Sequence, residues 1–161
     1  MNQLEQWTQL KFKENIFDSD EHNWNKGTSS FDSNLIGKEK IIFIIQTNIN
    51  NITIGGFVNT KINQIGKIED SKCFIFTNKN NKMTKYSIQK DKSQNAFELY
   101  SPEDPKLFSF GNDIIVYKEE MKESSIVDEQ NSCFEYGKER RVLISKIGKI
   151  SNKRIQVIQM K

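Results

Sequence analysis

Short blocks of isoleucine and phenylalanine recur along this chain with turn residues between them, a pattern that restricts it to β-rich folds. In order they are Ile16-Phe17-Asp18-Ser19-Asp20, Ile41-Ile42-Phe43-Ile44-Ile45, Ile54-Gly55-Gly56-Phe57, Cys73-Phe74-Ile75-Phe76, Phe108-Ser109-Phe110-Gly111-Asn112-Asp113 and Ile155-Gln156-Val157-Ile158-Gln159-Met160. The second block is nearly continuous in apolar residues, as expected of a strand covered on both faces. Asn48-Ile49-Asn50-Asn51 reads as a hairpin turn, and residues 52–60 as the return strand. Gly55-Gly56 inside that strand marks a bulge or a close backbone approach. Further strands are expected at 72–78, 83–89 and 95–100, and a hairpin at 107–110 and 114–118 around Gly111-Asn112-Asp113. Residues 119–130 are charged and polar and read as an exposed loop, followed by extended segments at 133–136, 141–147 and 155–160.

Helical signals are few. Leu4, Trp7 and Leu10 share a face, which suggests a short amphipathic helix over 3–10. Ser29, Ser30 and Asp32 can cap a short helix over 31–36 that Gly37 ends. Alanine occurs only at Ala96, so strong helix formers are scarce where β-branched and aromatic residues abound. The expected fold is mainly β: a two-sheet antiparallel β-sandwich with one or two short flanking helices. At 161 residues, 1–161 is expected to form a single domain.

Composition sets limits on function. A net charge of +3 is small for a dedicated nucleic-acid binder. No apolar stretch reaches the length of a membrane span, and Met1 to Leu10 lacks the cationic start and apolar core of a secretory signal. Cys73 and Cys133 are the two cysteines, which suits a reducing, cytoplasmic compartment better than a disulfide framework. Asn51-Ile52-Thr53 matches a glycosylation sequon, expected to stay unmodified there.

No catalytic constellation stands out. Asp18, Asp20 and His22 alternate like the start of a calcium loop, but Asn23 and Ser29 stand where that loop needs glycine and glutamate. His22 is the sole histidine, which argues against a triad or a histidine-rich metal site. No cofactor or metal is therefore expected. Gly55-Gly56 lacks the pattern of a phosphate loop. Glu119, Glu120 and Glu123 read as solvated loop charges. Cys73 is expected in a buried strand and inert, while Cys133, beside the polar loop, is the candidate exposed and redox-active thiol. It is the residue on which a thiol-dependent enzyme acting on peroxides would depend. Basic residues gather near the C-terminus: Lys138, Arg140, Arg141, Lys146, Lys149, Lys153, Arg154 and Lys161, against Glu139 alone. They read either as solvating charges or as a partner patch centred on Lys138, Arg140, Arg141, Lys153 and Arg154. Nucleic-acid binding through this stretch is the less favoured alternative, since only Tyr136 offers a stacking ring.

The order of the blocks resembles the TLDc domain, the domain of oxidation-resistance proteins. The family's opening Tyr/Phe-x-Ser element is similar to Phe17-Asp18-Ser19-Asp20, with the glycine displaced to Gly27. Its apolar hairpin and glycine-pair element resembles the segment from Ile41 through Gly55, Gly56 and Phe57. Its Phe-Leu-Phe strand is similar to Cys73-Phe74-Ile75-Phe76, and its late Gly-x-Asp-Ile strand to Gly111-Asn112-Asp113-Ile114. Its closing strand resembles residues 155–160, with Gln156 where glutamate is common. The resemblance implies a two-sheet β-sandwich and a role in oxidative-stress protection. It also implies binding to the vacuolar proton-pumping ATPase as a protein partner, without a cofactor or catalytic residues. Gly55, Gly56 and Phe57 are then a structural motif.

Overall fold

The computed structural model describes residues 2–49, 51–121, 123–126, 132–137 and 148–161, excepting the side chains of 123–126, 148 and 149. Its elements run α1 (Gln3–Thr8), β1 (Phe12–Asp18), α2 (Phe31–Leu35), β2 (Ile41–Thr47), β3 (Ile52–Val58), β4 (Gly66–Ile68), β5 (Phe74–Lys79) and β6 (Lys82–Ser87). A 3-10 turn at Lys90–Asn95 leads into β7 (Phe97–Leu99), β8 (Lys106–Phe110), β9 (Ile114–Tyr117), β10 (Glu123–Ile126) and β11 (Gly148–Met160). All pairings between these strands are antiparallel. Among the described residues, no helix is long and apolar enough to cross a membrane.

One long strand joins two sheets. The N-terminal part of β11, Gly148 to Ser151, pairs with β10 and completes a sheet ordered β4-β7-β8-β9-β10 (sheet II). From Asn152 onward β11 pairs with β2 on one side, and from Gln156 with β1 on the other, inside a sheet that continues β2-β3-β5-β6 (sheet I). The register slips between Asn152 and Arg154, where the strand passes from one sheet to the other. An extra residue at such a point bends a strand and increases its twist.

Side-chain alternation explains the apolar run in β2. Ile41, Phe43 and Ile45 point into the main core between the sheets, while Ile42 and Ile44 point outward. Phe43 is the centre of an aromatic cluster, with ring centroids 4.9 Å from Phe108, 5.0 Å from Phe97 and 5.4 Å from Phe110. α2 adds Phe31, stacked on Phe108 at 5.4 Å and set edge-on to Phe17 at 4.8 Å. Such pairs contribute roughly 0.5–1.5 kcal/mol each beyond the area they bury. The outward face of sheet I is covered too. Ile42, Phe57, Phe74, Phe76 and Met160 form a second cluster under Leu4, Trp7 and Leu10. α1 has six residues, too few to be stable alone, so it is held by this contact and by the Asn2 side chain, which accepts from the Glu5 N–H at 2.9 Å.

The abundant asparagines serve turns. Asn51, Asn80 and Asn81 all have positive φ, which asparagine tolerates better than most residues. Several expectations need correction. Residues 119–130 are not all loop, because 123–126 form β10 between β9 and β11. The closing strand begins at Gly148 rather than at 155. β4 carried no strand signal of its own. The extended segment expected at 141–147 lies outside the described residues.

Candidate functional site

Gly55 and Gly56 sit in unbroken register with both neighbouring strands, so the bulge reading is wrong and the close-approach reading holds. Gly56 faces the core, where an added Cβ would stand 2.6 Å from two ring carbons of Phe110. At Gly55 the same atom would meet the Phe43 carbonyl oxygen at 2.0 Å and Phe76 Cζ at 2.6 Å. Phe57 is buried in the outer cluster, 5.2 Å from Phe74 between centroids. All three residues act in packing.

The opening Phe17-Asp18-Ser19-Asp20 element ties the end of β1 to β11. Asp18 is buried, and Arg154 grips its carboxylate with two bonds, Nε to Oδ1 at 3.0 Å and Nη2 to Oδ2 at 2.5 Å. Gln156 Nε2 donates to Oδ2 at 3.2 Å, and the Asp20 N–H to Oδ1 at 3.1 Å. Ser19 exchanges bonds with Ile155, its N–H donating to the carbonyl and its hydroxyl accepting the N–H, both at 2.9 Å. The guanidinium beside Asp18 holds its carboxyl below the usual range against the opposing effect of burial. Arg154 is therefore engaged within the fold, with its side chain 35% exposed. Lys153 is exposed. Lys138, Arg140, Arg141 and Lys146 lie outside the described residues, and of Lys149 only the backbone is described.

His22 closes the same turn. Its Nδ1 accepts from the Asp18 N–H at 3.0 Å, and its ring stacks on Phe17 at 5.3 Å. The calcium-like alternation is thus a turn built on Asp18. Among the described residues, no group of three or more His, Cys, Asp or Glu is placed to hold a metal ion.

Cys133 is not the exposed thiol expected from its neighbours in sequence; it is 3% exposed. Burial pushes its thiol above the usual range, which disfavours the nucleophilic thiolate. Cys73 is buried too, its thiol pushed well up first by burial and then by Asp70, and the two cysteines are free. Cys133 packs in the main core, and its segment is anchored by Asp113, at the turn between β8 and β9. Its carboxylate accepts from the Cys133 N–H at 2.9 Å, from the Tyr136 hydroxyl at 2.5 Å and from the Ser132 hydroxyl. Gln89 Nε2 donates to the Ser132 and Phe134 carbonyls at 3.1 and 3.2 Å, holding the same segment from the other side. Burial raises the Asp113 carboxyl, opposed by those three donors. Gly111, at φ +53°, lies where an added Cβ would be 2.8 Å from Cys133 Cβ.

Lys118 gave no signal in sequence. It is 1% exposed, and its ammonium donates to the carbonyls of Ser101 and Lys106, both at 2.8 Å, and of Asp104. It pins the Pro102–Pro105 connection between β7 and β8, and burial lowers its pKa.

Concavity occurs elsewhere, on the outward face of sheet II. A groove of about 320 Å³ there is lined by Lys67, Glu98, Tyr100, Lys106 and Ser109, among others. Tyr100 donates its hydroxyl to Glu98 Oε2 at 2.8 Å and lies 3.2 Å from Ser109 Oγ. Burial, more than any neighbour, pushes its phenol up to about 12. Sequence reading found Glu98 and Tyr100 only as parts of an alternating strand; the register that brings Lys67 beside them was not legible. No family model matches the chain, and no curated protein is similar to it in sequence beyond chance.

Proposed function

We propose that this chain is a TLDc-type interaction domain that works by binding another protein in the cytoplasm. The partner in this reading is the vacuolar proton-pumping ATPase, and protection against oxidative damage is the outcome. The observation that carries it is the ordered set of resembling blocks, whose first and last members are locked together through Asp18, Arg154 and Gln156. Such a set of contacts gives the opening element a structural reason to occur with the closing strand. The two-sheet sandwich suits a rigid scaffold that presents loops and sheet faces to a partner. Burial of Cys133 weighs against the peroxide-consuming alternative, and engagement of Arg154 weighs against the nucleic-acid alternative.

Purified chain mixed with purified vacuolar ATPase tests the reading directly. Co-sedimentation, together with a dose-dependent change in ATP hydrolysis or proton pumping, is the expected result. No co-sedimentation and unchanged hydrolysis at saturating concentration refute it.

A further inference from the structure

We propose that the groove on the outward face of sheet II receives glutamate side chains from an acidic segment of a partner protein. The proposal rests on the reading of the chain as an interaction domain and names where and how it binds.

Strand register builds the groove. Lys67 of β4 pairs with Glu98 of β7, Glu98 with Ser109 of β8, and Ser109 with Ile115 of β9, so one cross-strand row lines its floor. Residues opposite one another in a sheet face the same side, which brings these four together from segments distant in sequence. The apolar cluster under α1 lies on sheet I, and among the described residues the outward face of sheet II has no comparable cluster.

Charge in the groove is unevenly satisfied. Glu98 already accepts the Tyr100 hydroxyl, a phenol that stays protonated at neutral pH. Among the described residues Lys67 donates only to the Asn95 amide oxygen, at 3.0 Å. Lys106 holds its ammonium 4.9 Å from the Tyr100 ring centroid. Among the described residues neither lysine has a carboxylate within ion-pair distance. Two ammonium groups thus line the groove without a close carboxylate, while the lining carboxylate, Glu98, is held toward the tyrosine hydroxyl. The Tyr100 ring and half-buried Ile115 supply apolar wall. Inorganic phosphate leaves that wall bare, whereas the methylenes of a glutamate cover it. The volume lies at the lower end of ligand-sized cavities, enough for one or two side chains rather than a cofactor.

The test is an NMR titration of isotope-labelled chain with a blocked hexaglutamate peptide, and separately with inorganic phosphate at matched ionic strength. Amide shifts centred on Lys67, Glu98, Tyr100 and Lys106, stronger with peptide than with phosphate, are expected. Lys67→Glu with Lys106→Glu should weaken peptide binding about tenfold or more, Lys67→Gln with Lys106→Gln by less, and Lys153→Glu by under about twofold. Both lysines reach solvent, so unchanged thermal melting of the glutamine variant separates lost binding from lost folding. Shifts gathered elsewhere, equal affinity in the charge-reversed variant, or phosphate binding as tightly as peptide overturn the proposal. Peptide binding here without any effect on the ATPase would refute that partner and keep the groove. ATPase binding that the charge reversal leaves intact would do the opposite.

Discussion

Replacing Arg154 by methionine keeps most of its hydrocarbon stem and removes the guanidinium that holds Asp18. The loss is two charge-assisted bonds to a carboxylate on a residue only 1% exposed, at 3.0 and 2.5 Å, together with the ion pair of Nε with exposed Asp20 at 3.1 Å. Breaking a fully buried ion pair by removing one partner costs about 3–5 kcal/mol. Here the Arg154 side chain is 35% exposed, so water already shares its charge and the figure must be discounted. Asp18 also retains the Asp20 N–H and the Gln156 amide. A loss of about 2–3 kcal/mol follows, equivalent to roughly 5–10 °C in Tm for a domain of this size. The pH dependence carries its own sign. Because the folded Asp18 carboxyl is held below its unfolded value, its contribution is present at neutral pH. That contribution is lost as pH falls from the ordinary aspartate value through the depressed one. Urea unfolding of parent, Arg154→Met, Asp18→Asn and the double variant at pH 7 and about pH 3 reads both effects. Coupling of about 2 kcal/mol at pH 7 that shrinks in acid is expected. Coupling under about 0.5 kcal/mol at pH 7, or no change in acid, refutes the account.

Other substitutions probe the remaining packing and polar contacts. Gly56→Ala should cost about 1–3 kcal/mol because the Phe110 ring must move, and Gly55→Ala more, since a backbone carbonyl cannot swing aside; an unchanged melting temperature for either contradicts this. Asp113 titrates with the opposite sign to Asp18, since its folded carboxyl is raised and its ionisation removes stability as pH climbs from the ordinary aspartate value through the raised one. The Tm advantage of the parent over Asp113→Asn should therefore narrow as pH rises above the ordinary aspartate value, and a widening gap counts against it. Lys118→Met takes the ammonium from three carbonyls, of which that of Ser101 keeps the Asp104 N–H, and should lower urea stability by about 2–3 kcal/mol, whereas a loss under about 0.5 kcal/mol would mean that water replaces the ammonium freely. Cys133 in the folded chain should react with a disulfide reagent far more slowly than in urea; comparable rates would place it at the surface.

Local pattern carried the sheets a long way. Five successive apolar residues from Ile41 demanded cover on both faces, and the core and the α1 cluster supply it. Leu4 and Trp7 signalled the helix that does so, but it ends at Thr8 rather than at 10, and Leu10 reaches the cluster from beyond the left-handed Gln9 cap. The failures share a physical cause, which is dependence on partners remote in sequence. Ser151, Asn152, Lys153 and Arg154 interrupt apolar alternation, yet they belong to β11 because β10 and β2 bond its backbone. Glu123-Ser124-Ser125-Ile126 looks like loop until its two neighbours are known. Cys133 looked exposed from its polar flanks, but it packs in the main core and Asp113 anchors its backbone. Lys118 resembled a strand-end charge, and nothing near it in sequence revealed the three carbonyls around its ammonium. The groove lay hidden for the same reason, since Lys67 meets Glu98 only through the pairing of β4 with β7.

The strand that serves both sheets imposes an order on synthesis. Lys13 bonds Gln159 across 146 positions, and Gly148–Met160 supplies the middle of the assembly to β1, β2 and β10 alike. A chain leaving the ribosome N-terminus first holds β2 and β10 with one edge each unmatched until Gly148–Met160 emerges. Folding should then be slow and all-or-none, with the nascent chain leaning on chaperones to keep those edges from pairing with strangers.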